Sequence, residues 1–121
     1  MPTTLLIVDD HAGFRGFARQ LMEAEGLVVV GEAADGPSAI TETARLDPDV
    51  VLLDVMLPGL DGFEVCERLV EAGADRPAVV LTSSRDASSY ADRLARSTAR
   101  GFVAKDALSA QTLAELVEPR P

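Results

Sequence analysis

Five short apolar runs punctuate the chain: Thr4-Leu5-Leu6-Ile7-Val8, Leu27-Val28-Val29-Val30, Val50-Val51-Leu52-Leu53, Ala78-Val79-Val80-Leu81 and Gly101-Phe102-Val103-Ala104. Each has the length and composition of a buried strand. Between them the apolar positions change period. Phe14, Phe17, Leu21 and Met22 recur at three- and four-residue spacing, as do Phe63, Cys66, Leu69 and Val70, and again Leu113, Leu116 and Val117, which predicts amphipathic helices. Two Ala-rich and more polar pieces, Pro37 to Leu46 and Asp86 to Ser97, are also expected to be helical. Ser38 and Asp61 are expected as first-turn or capping residues, and Gly26 and Gly73 as helix stops. Strand and helix alternate five times, and parallel strands need crossover connections, so the pattern predicts an α/β fold: a doubly wound parallel sheet with helices on both faces.

Composition narrows the picture. A chain of 121 residues with 47% apolar content has the size and core of one domain and rules out two. The expected folded unit is about 3–118, with 119–121 (Pro119-Arg120-Pro121) as a tail or the start of a linker. Twenty acidic against 11 basic residues leave a net charge of −9, which repels phosphate backbones and anionic lipid, so neither nucleic acid nor a membrane surface is an expected partner. The single cysteine, Cys66, lies on an apolar helical stripe and reads as a small core residue, which fits a reducing, cytoplasmic compartment. No apolar run approaches the roughly 18 residues of a membrane span.

In open α/β sheets, ligands bind beyond the carboxyl ends of the strands. The residues there are Asp9 and Asp10 after the first run, Asp54 after the third, Thr82 after the fourth and Lys105 after the fifth. Two carboxylates about 5 Å apart repel by roughly 3 kcal/mol at an effective dielectric near 20, so three together invite a proton or a cation. An oxygen-only donor set favours Mg²⁺, with Mn²⁺ as the alternative. Lys105 is the chain's one lysine among ten arginines, a compact charge on a flexible stem. A carboxylate flanked by a metal ion, an ammonium and a hydroxyl is equipped to attack phosphorus, which points to an aspartyl-phosphate site. His11 reads as a loop residue beside that site rather than as a ligand.

Asp9-Asp10, the stretch Leu53-Asp54-Val55-Met56-Leu57-Pro58-Gly59-Leu60-Asp61-Gly62, Thr82 and Lys105 together resemble the response-regulator receiver domain of two-component signalling, the CheY-like superfamily. The resemblance covers essentially the whole chain. It implies a flavodoxin-like (βα)5 domain with strand order 2-1-3-4-5, an order the doubly wound rule itself illustrates with a chemotaxis receiver. It implies Asp54 as phosphoacceptor, Mg²⁺ held by Asp9, Asp10, Asp54 and the backbone carbonyl of Met56, and Thr82, Phe102 and Lys105 as the groups that contact the phosphoryl and switch. Counting back from Lys105 selects Ser83 as the switch hydroxyl, whereas the end of the apolar strand selects Thr82. Asp106 follows Lys105 where many receivers have proline. Lys105-Asp106 and Val30-Gly31-Glu32-Ala33-Ala34-Asp35-Gly36 look like the NarL/LuxR-type branch, in which a helix-turn-helix domain usually follows.

The expected function is a phosphorylation-dependent switch, not an enzyme with its own substrate. The phosphoryl donor is a sensor histidine kinase or phosphotransfer protein. The output partner is another protein, met by the face of helix 4, strand 5 and helix 5, with a phosphorylation-dependent dimer as a further option. Met56 and Ser84 are expected to set the lifetime of the phosphoryl group through their effect on an attacking water. A stand-alone receiver is expected ahead of the receiver half of a DNA-binding regulator. An Asp-nucleophile phosphatase comes last, because the Asp-x-Asp nucleophile pattern and any cap insertion are missing.

Overall fold

The computed structural model describes residues 3–72 and 77–117; the expected stop at Gly73 and the expected tail at 119–121 lie outside them. The five strands are β1 (Thr4–Val8), β2 (Val28–Ala33), β3 (Val50–Asp54), β4 (Ala78–Ser83) and β5 (Gly101–Ala104), and the helices are α1 (Ala12–Ala24), α2 (Gly36–Leu46), α3 (Gly62–Ala72), α4 (Ala91–Ala95) and α5 (Ala110–Val117). The sheet order is β2-β1-β3-β4-β5, parallel throughout, as expected. Strand order reverses between β1 and β3, so the crevice beyond their carboxyl ends opens there.

Alternation along the strands splits the interior into two apolar layers. Leu6, Val8, Val51, Leu53, Val79 and Leu81 face Ala39, Phe63, Val65, Cys66 and Leu69 of α2 and α3. Leu5, Ile7, Val50, Leu52, Val80 and Val103 face Ala18 and Met22 of α1 and Leu113 of α5. Burial on both faces is why these strands read as continuous apolar runs rather than as alternating ones. Cys66 is fully buried, as its place on the stripe implied.

Helix boundaries follow local chemistry. Asp35 caps α2 by accepting the Ser38 N–H at 2.8 Å, which leaves Ser38 in the first turn; Asp61 caps α3 through the Glu64 N–H at 3.0 Å; Ser109 caps α5 through the Thr112 N–H at 3.0 Å. Gly26 closes α1 at a φ of 97°, the left-handed conformation that favours glycine.

Three expectations need correction. β2 runs to Ala33 instead of stopping at Val30: the register slips by one residue opposite Leu5 and Leu6, and Gly31, Glu32 and Ala33 keep pairing with β1. Gly31 and Glu32 interrupt the apolar run, so this extension is set by partnership and not by composition. The helix expected over Asp86 to Ser97 is a single 3₁₀ turn, Ala87–Tyr90, followed by the five residues of α4. Ser88 and Ser89 compete with helical hydrogen bonding, and no residue of α4 is buried, so little packing holds it. Phe17 is 55% exposed, and Ala18 takes the inward position on α1.

Candidate functional site

The strand ends bring the expected side chains together. Asp9, one residue past β1, is fully buried; Asp54, the last residue of β3, is 2% exposed, and in the sheet register it stands beside Thr82 of β4. Lys105 follows β5 and reaches back across the edge. Its Nζ lies 2.6 Å from Asp9 Oδ2 and 3.5 Å from Asp54 Oδ2, the latter a residue 51 positions away in the chain. The Asp54 carboxylate is oriented from its other side by the Met56 N–H, 3.1 Å from Oδ1. Asp9 Oδ1 accepts the His11 N–H at 2.8 Å.

The turn after β3 depends on a glycine. Gly62 N–H donates to the Val55 carbonyl at 2.8 Å, and a Cβ at Gly62 would lie 2.7 Å from Val55 Cα and collide with the Asp54 carbonyl oxygen. Gly59 supplies the positive φ of 76° that the Pro58-Gly59 turn requires. Asp54 is thus set at the base of a loop that closes back onto its own backbone.

Electrostatics separate the two buried carboxylates. Burial pushes the Asp54 carboxyl up, the Met56 N–H opposes it, and the neighbouring charge of Asp9 raises it further, to about 6. Burial also pushes Asp9 up, but there the Lys105 ammonium and the His11 N–H together prevail and hold the group below the ordinary carboxylate range. Asp9 therefore carries the firm negative charge and Asp54 the reluctant one.

The residues fit a hard divalent cation. Ligand atoms of Asp9, Asp10, His11 and Asp54 all lie within 4.8 Å of one another. Asp9 Oδ2 is buried and accepts no well-directed hydrogen bond, with the ammonium as its ion-pair partner. Converging carboxylate oxygens are the hard donor set that Mg²⁺ or Mn²⁺ would complete. His11 stands at the rim: its side chain is 71% exposed, with Nδ1 3.0 Å from Asp10 Oδ1 and 3.2 Å from Asp9 Oδ1.

The two candidate hydroxyls point to different partners. Thr82 Oγ1 donates to the Val103 carbonyl at 2.6 Å, inside the sheet. Ser83 Oγ lies 3.0 Å from the Tyr90 hydroxyl and accepts the Arg85 N–H at 3.1 Å. Since successive strand residues face opposite sides, Thr82 shares the side of Val80, and Ser83 that of Leu81 and the α2–α3 layer. Phe102 is half-buried and belongs to a chain of rings: Tyr90 lies with its ring centroid 6.0 Å from Phe63 and 6.0 Å from Phe102. Met56, whose N–H orients Asp54, is 55% exposed, and Ser84 is exposed just beyond β4.

Sequence reasoning missed two groups. Arg15 donates to the Asp9 carbonyl at 2.7 Å and to Glu32 at 3.0 Å, and Arg19 donates to the same Glu32 at 2.7 Å. This tie braces the Asp9 loop against β2 and, led by Arg19, holds the Glu32 carboxyl below the usual range. The four-residue spacing of Arg15 and Arg19 places both on one helix face, a signal the sequence carries; Glu32 as their partner becomes visible only once β2 extends past Val30. The second missed group is the Tyr90 hydroxyl, which no spacing rule connects to Ser83.

With this geometry in view, comparison with known proteins gives a consistent answer. The family model described as the response regulator receiver domain matches residues 5–118. The nitrate/nitrite response regulator NarP of Escherichia coli K12 is 42% identical over 87% of the chain and 49% of its own length. A protein-glutamate methylesterase/protein-glutamine glutaminase of Myxococcus xanthus is 41% identical over 95% of the chain and 34% of its own length. Among solved structures, the signal receiver domain of the response regulator NarL from Mycobacterium tuberculosis superposes with a TM-score of 0.83 at 29% identity, covering 98% of both chains. The chain belongs to the response regulator receiver family. It spans about a third to a half of the curated relatives it matches.

Proposed function

We propose that Asp54 accepts a phosphoryl group from the phosphohistidine of a sensor kinase or phosphotransfer protein and that this switches a protein-binding face in the cytoplasm. One observation carries the reading: a buried carboxylate at the end of the central strand, oriented by the Met56 N–H, with the Lys105 ammonium 3.5 Å away and Thr82 beside it in register. An Asp54 oxygen attacks phosphorus; the O–P bond forms as the donor's N–P bond breaks, and the imidazole nitrogen keeps the electron pair and takes up a proton from water. Lys105 meets the charge on the incoming phosphoryl oxygens. Asp9, Asp10, Asp54 and the Met56 carbonyl would hold Mg²⁺, which when bound adds Lewis-acid neutralisation of the same charge.

The new dianionic acceptor then draws the Thr82 hydroxyl, which stands beside Asp54 in register, from the Val103 carbonyl. Thr82 is preferred as the phosphoryl contact because it is the residue paired with Asp54, whereas Ser83 lies with Tyr90 and Phe102 on the opposite, α2–α3 side of the sheet, so that a movement of the Phe102 ring follows the Ser83–Tyr90 contact. The affected face comprises α4, β5 and α5, where Tyr90, Leu94 and Leu116 are half-buried; it takes the output protein or a second phosphorylated copy. Met56 has no group that orients a water and Ser84 is short, so the phosphoryl group is long-lived.

Incubation with acetyl phosphate and Mg²⁺ should add one phosphate by intact mass to the wild type and none to Asp54→Asn; equal labelling of the variant overturns the assignment. Millimolar MgCl₂ should raise the melting midpoint of the wild type but not of Asp10→Ala. Decay of the phosphorylated form should quicken in Met56→Asn, and unchanged decay removes Met56 from the account. A second reading, that the chain is the receiver part of a longer transcriptional regulator, draws on its match to half of NarP; the length of the native reading frame decides it.

A further inference from the structure

Phe14 has an unexpected position. Its spacing assigns it to the buried stripe of α1, yet the residues of α1 that are buried are Ala18 and Met22, and Phe14 is half-buried in the first turn. Its ring packs against the α1–α5 layer and also lies beneath the Lys105 ammonium, with Nζ 4.3 Å from the ring centroid. The ammonium is therefore held between unlike neighbours: Asp9 and Asp54 as carboxylates, and an aromatic face.

We propose that Phe14 is a positioning residue for Lys105, holding the ammonium at the site by a cation–π contact while leaving it free to turn toward a phosphoryl group. The proposal rests on the reading of Lys105 as the phosphoryl contact. A lysine ammonium is strongly hydrated and sits on a stem with several rotatable bonds, so without support it is drawn out to water. The ring removes water from one side and attracts the charge through its quadrupole. That attraction has no hydrogen-bond direction. Nζ can thus shift from the carboxylates to oxygens on phosphorus without losing the contact, which a third carboxylate or a carbonyl in the same place would resist. The side chain of Lys105 is 18% exposed, so the contact acts in a partly dry setting where its strength is greatest.

The lone lysine makes the test direct. In protein labelled with ¹³C-lysine, the ε-methylene of Lys105 gives one signal, and its protons should be shifted upfield by the ring. Phe14→Tyr should keep that shift; Phe14→Leu, which preserves apolar bulk but not the ring face, should abolish it. In acetyl phosphate labelling, Phe14→Leu should slow the initial rate by about three- to thirtyfold, equivalent to about 0.7–2 kcal/mol at 1.36 kcal/mol per tenfold. Phe14→Tyr should stay within about twofold of wild type on the same scale. In a Lys105→Met background the Phe14→Leu step should have no further effect on rate. A lysine signal unshifted in the wild type, an unchanged Phe14→Leu rate, or an equal loss with and without Lys105 each overturns the proposal. If the wild type takes up no phosphate, the phosphoacceptor reading fails, and the lysine signal still decides whether the ring holds the ammonium.

Discussion

The carboxyl ends of β1 and β3 and the carboxyl end of β4 lie side by side in the sheet but are held in different ways. At the first, Asp9 and Asp54 are buried, the loop after Asp54 closes through Gly62, and Arg15 braces the Asp9 backbone. At the second, the chain leaves Ser83 into exposed residues, makes a 3₁₀ turn and forms a helix of five residues with none buried. Its anchors are half-buried Tyr90 and Leu94, the tilted ring contacts, one contact between hydroxyls, and Arg93, which pairs with Asp61 at 2.7 Å and lies over the Phe63 ring. The difference suits a switch. Groups that react must be fixed in advance, whereas an element that reports the reaction needs two packings close in free energy.

Four substitutions break or sharpen this contrast. Gly62→Ala forces a Cβ into backbone at the Asp54 turn and should destabilise by about 3 kcal/mol, read from urea denaturation. Asp54→Asn should act in the opposite sense in the metal-free protein. The folded-state pKa of Asp54 lies above its unfolded value, so its ionisation weakens the fold as pH rises from about 4 through about 6. The variant should be more stable than wild type by on the order of 2–3 kcal/mol at pH 7.5, with the gap closing by pH 4. A gap independent of pH would remove the charge argument.

Tyr90→Phe keeps the rings and removes the hydroxyl from Ser83, which still accepts the Arg85 N–H. The expected cost is about 1 kcal/mol. Amide exchange should quicken over residues 84–95 and stay unchanged in β1 and β3; equal quickening everywhere would mean that the two regions open as one unit. Gly13→Ala has the smallest expected effect. A Cβ there meets nothing within 4 Å, so better helix propensity should stabilise α1 by at most about 1 kcal/mol.

Legibility follows the same division. The strand cores, the capping role of Asp61 and the gathering of Asp9, Asp10, Asp54, Thr82 and Lys105 at one edge all follow from local rules, because a βα alternation sends every strand's carboxyl end to the same side. α4 was legible only in outline. Its Ala content favours helix, but with no packed face the helix shortens to the five residues from Ala91 to Ala95. The extension of β2 and the exposure of Phe17 were hidden for a related reason: each depends on a neighbour distant in sequence, β1 in one case and the limited breadth of the α1 interface in the other.

Period and turn chemistry act over a few residues, so the chain alone declares which positions alternate, where helices begin and which charged groups stand at strand ends. Packing decides the rest. Asp9 and Asp54 differ in charge behaviour although both are buried aspartates, because the Lys105 ammonium is 2.6 Å from one and 3.5 Å from the other. Thr82 and Ser83 are adjacent hydroxyls, yet one engages Val103 and the other Tyr90, because successive residues face opposite sides of a sheet whose neighbours are chosen by the crossovers. Phe14 is an apolar residue at helical spacing like its neighbours, and only the return of the chain from β5 sets a cation over its ring. Contacts between residues dozens of positions apart carry no local signature, since their geometry is the sum of every helix and turn between them.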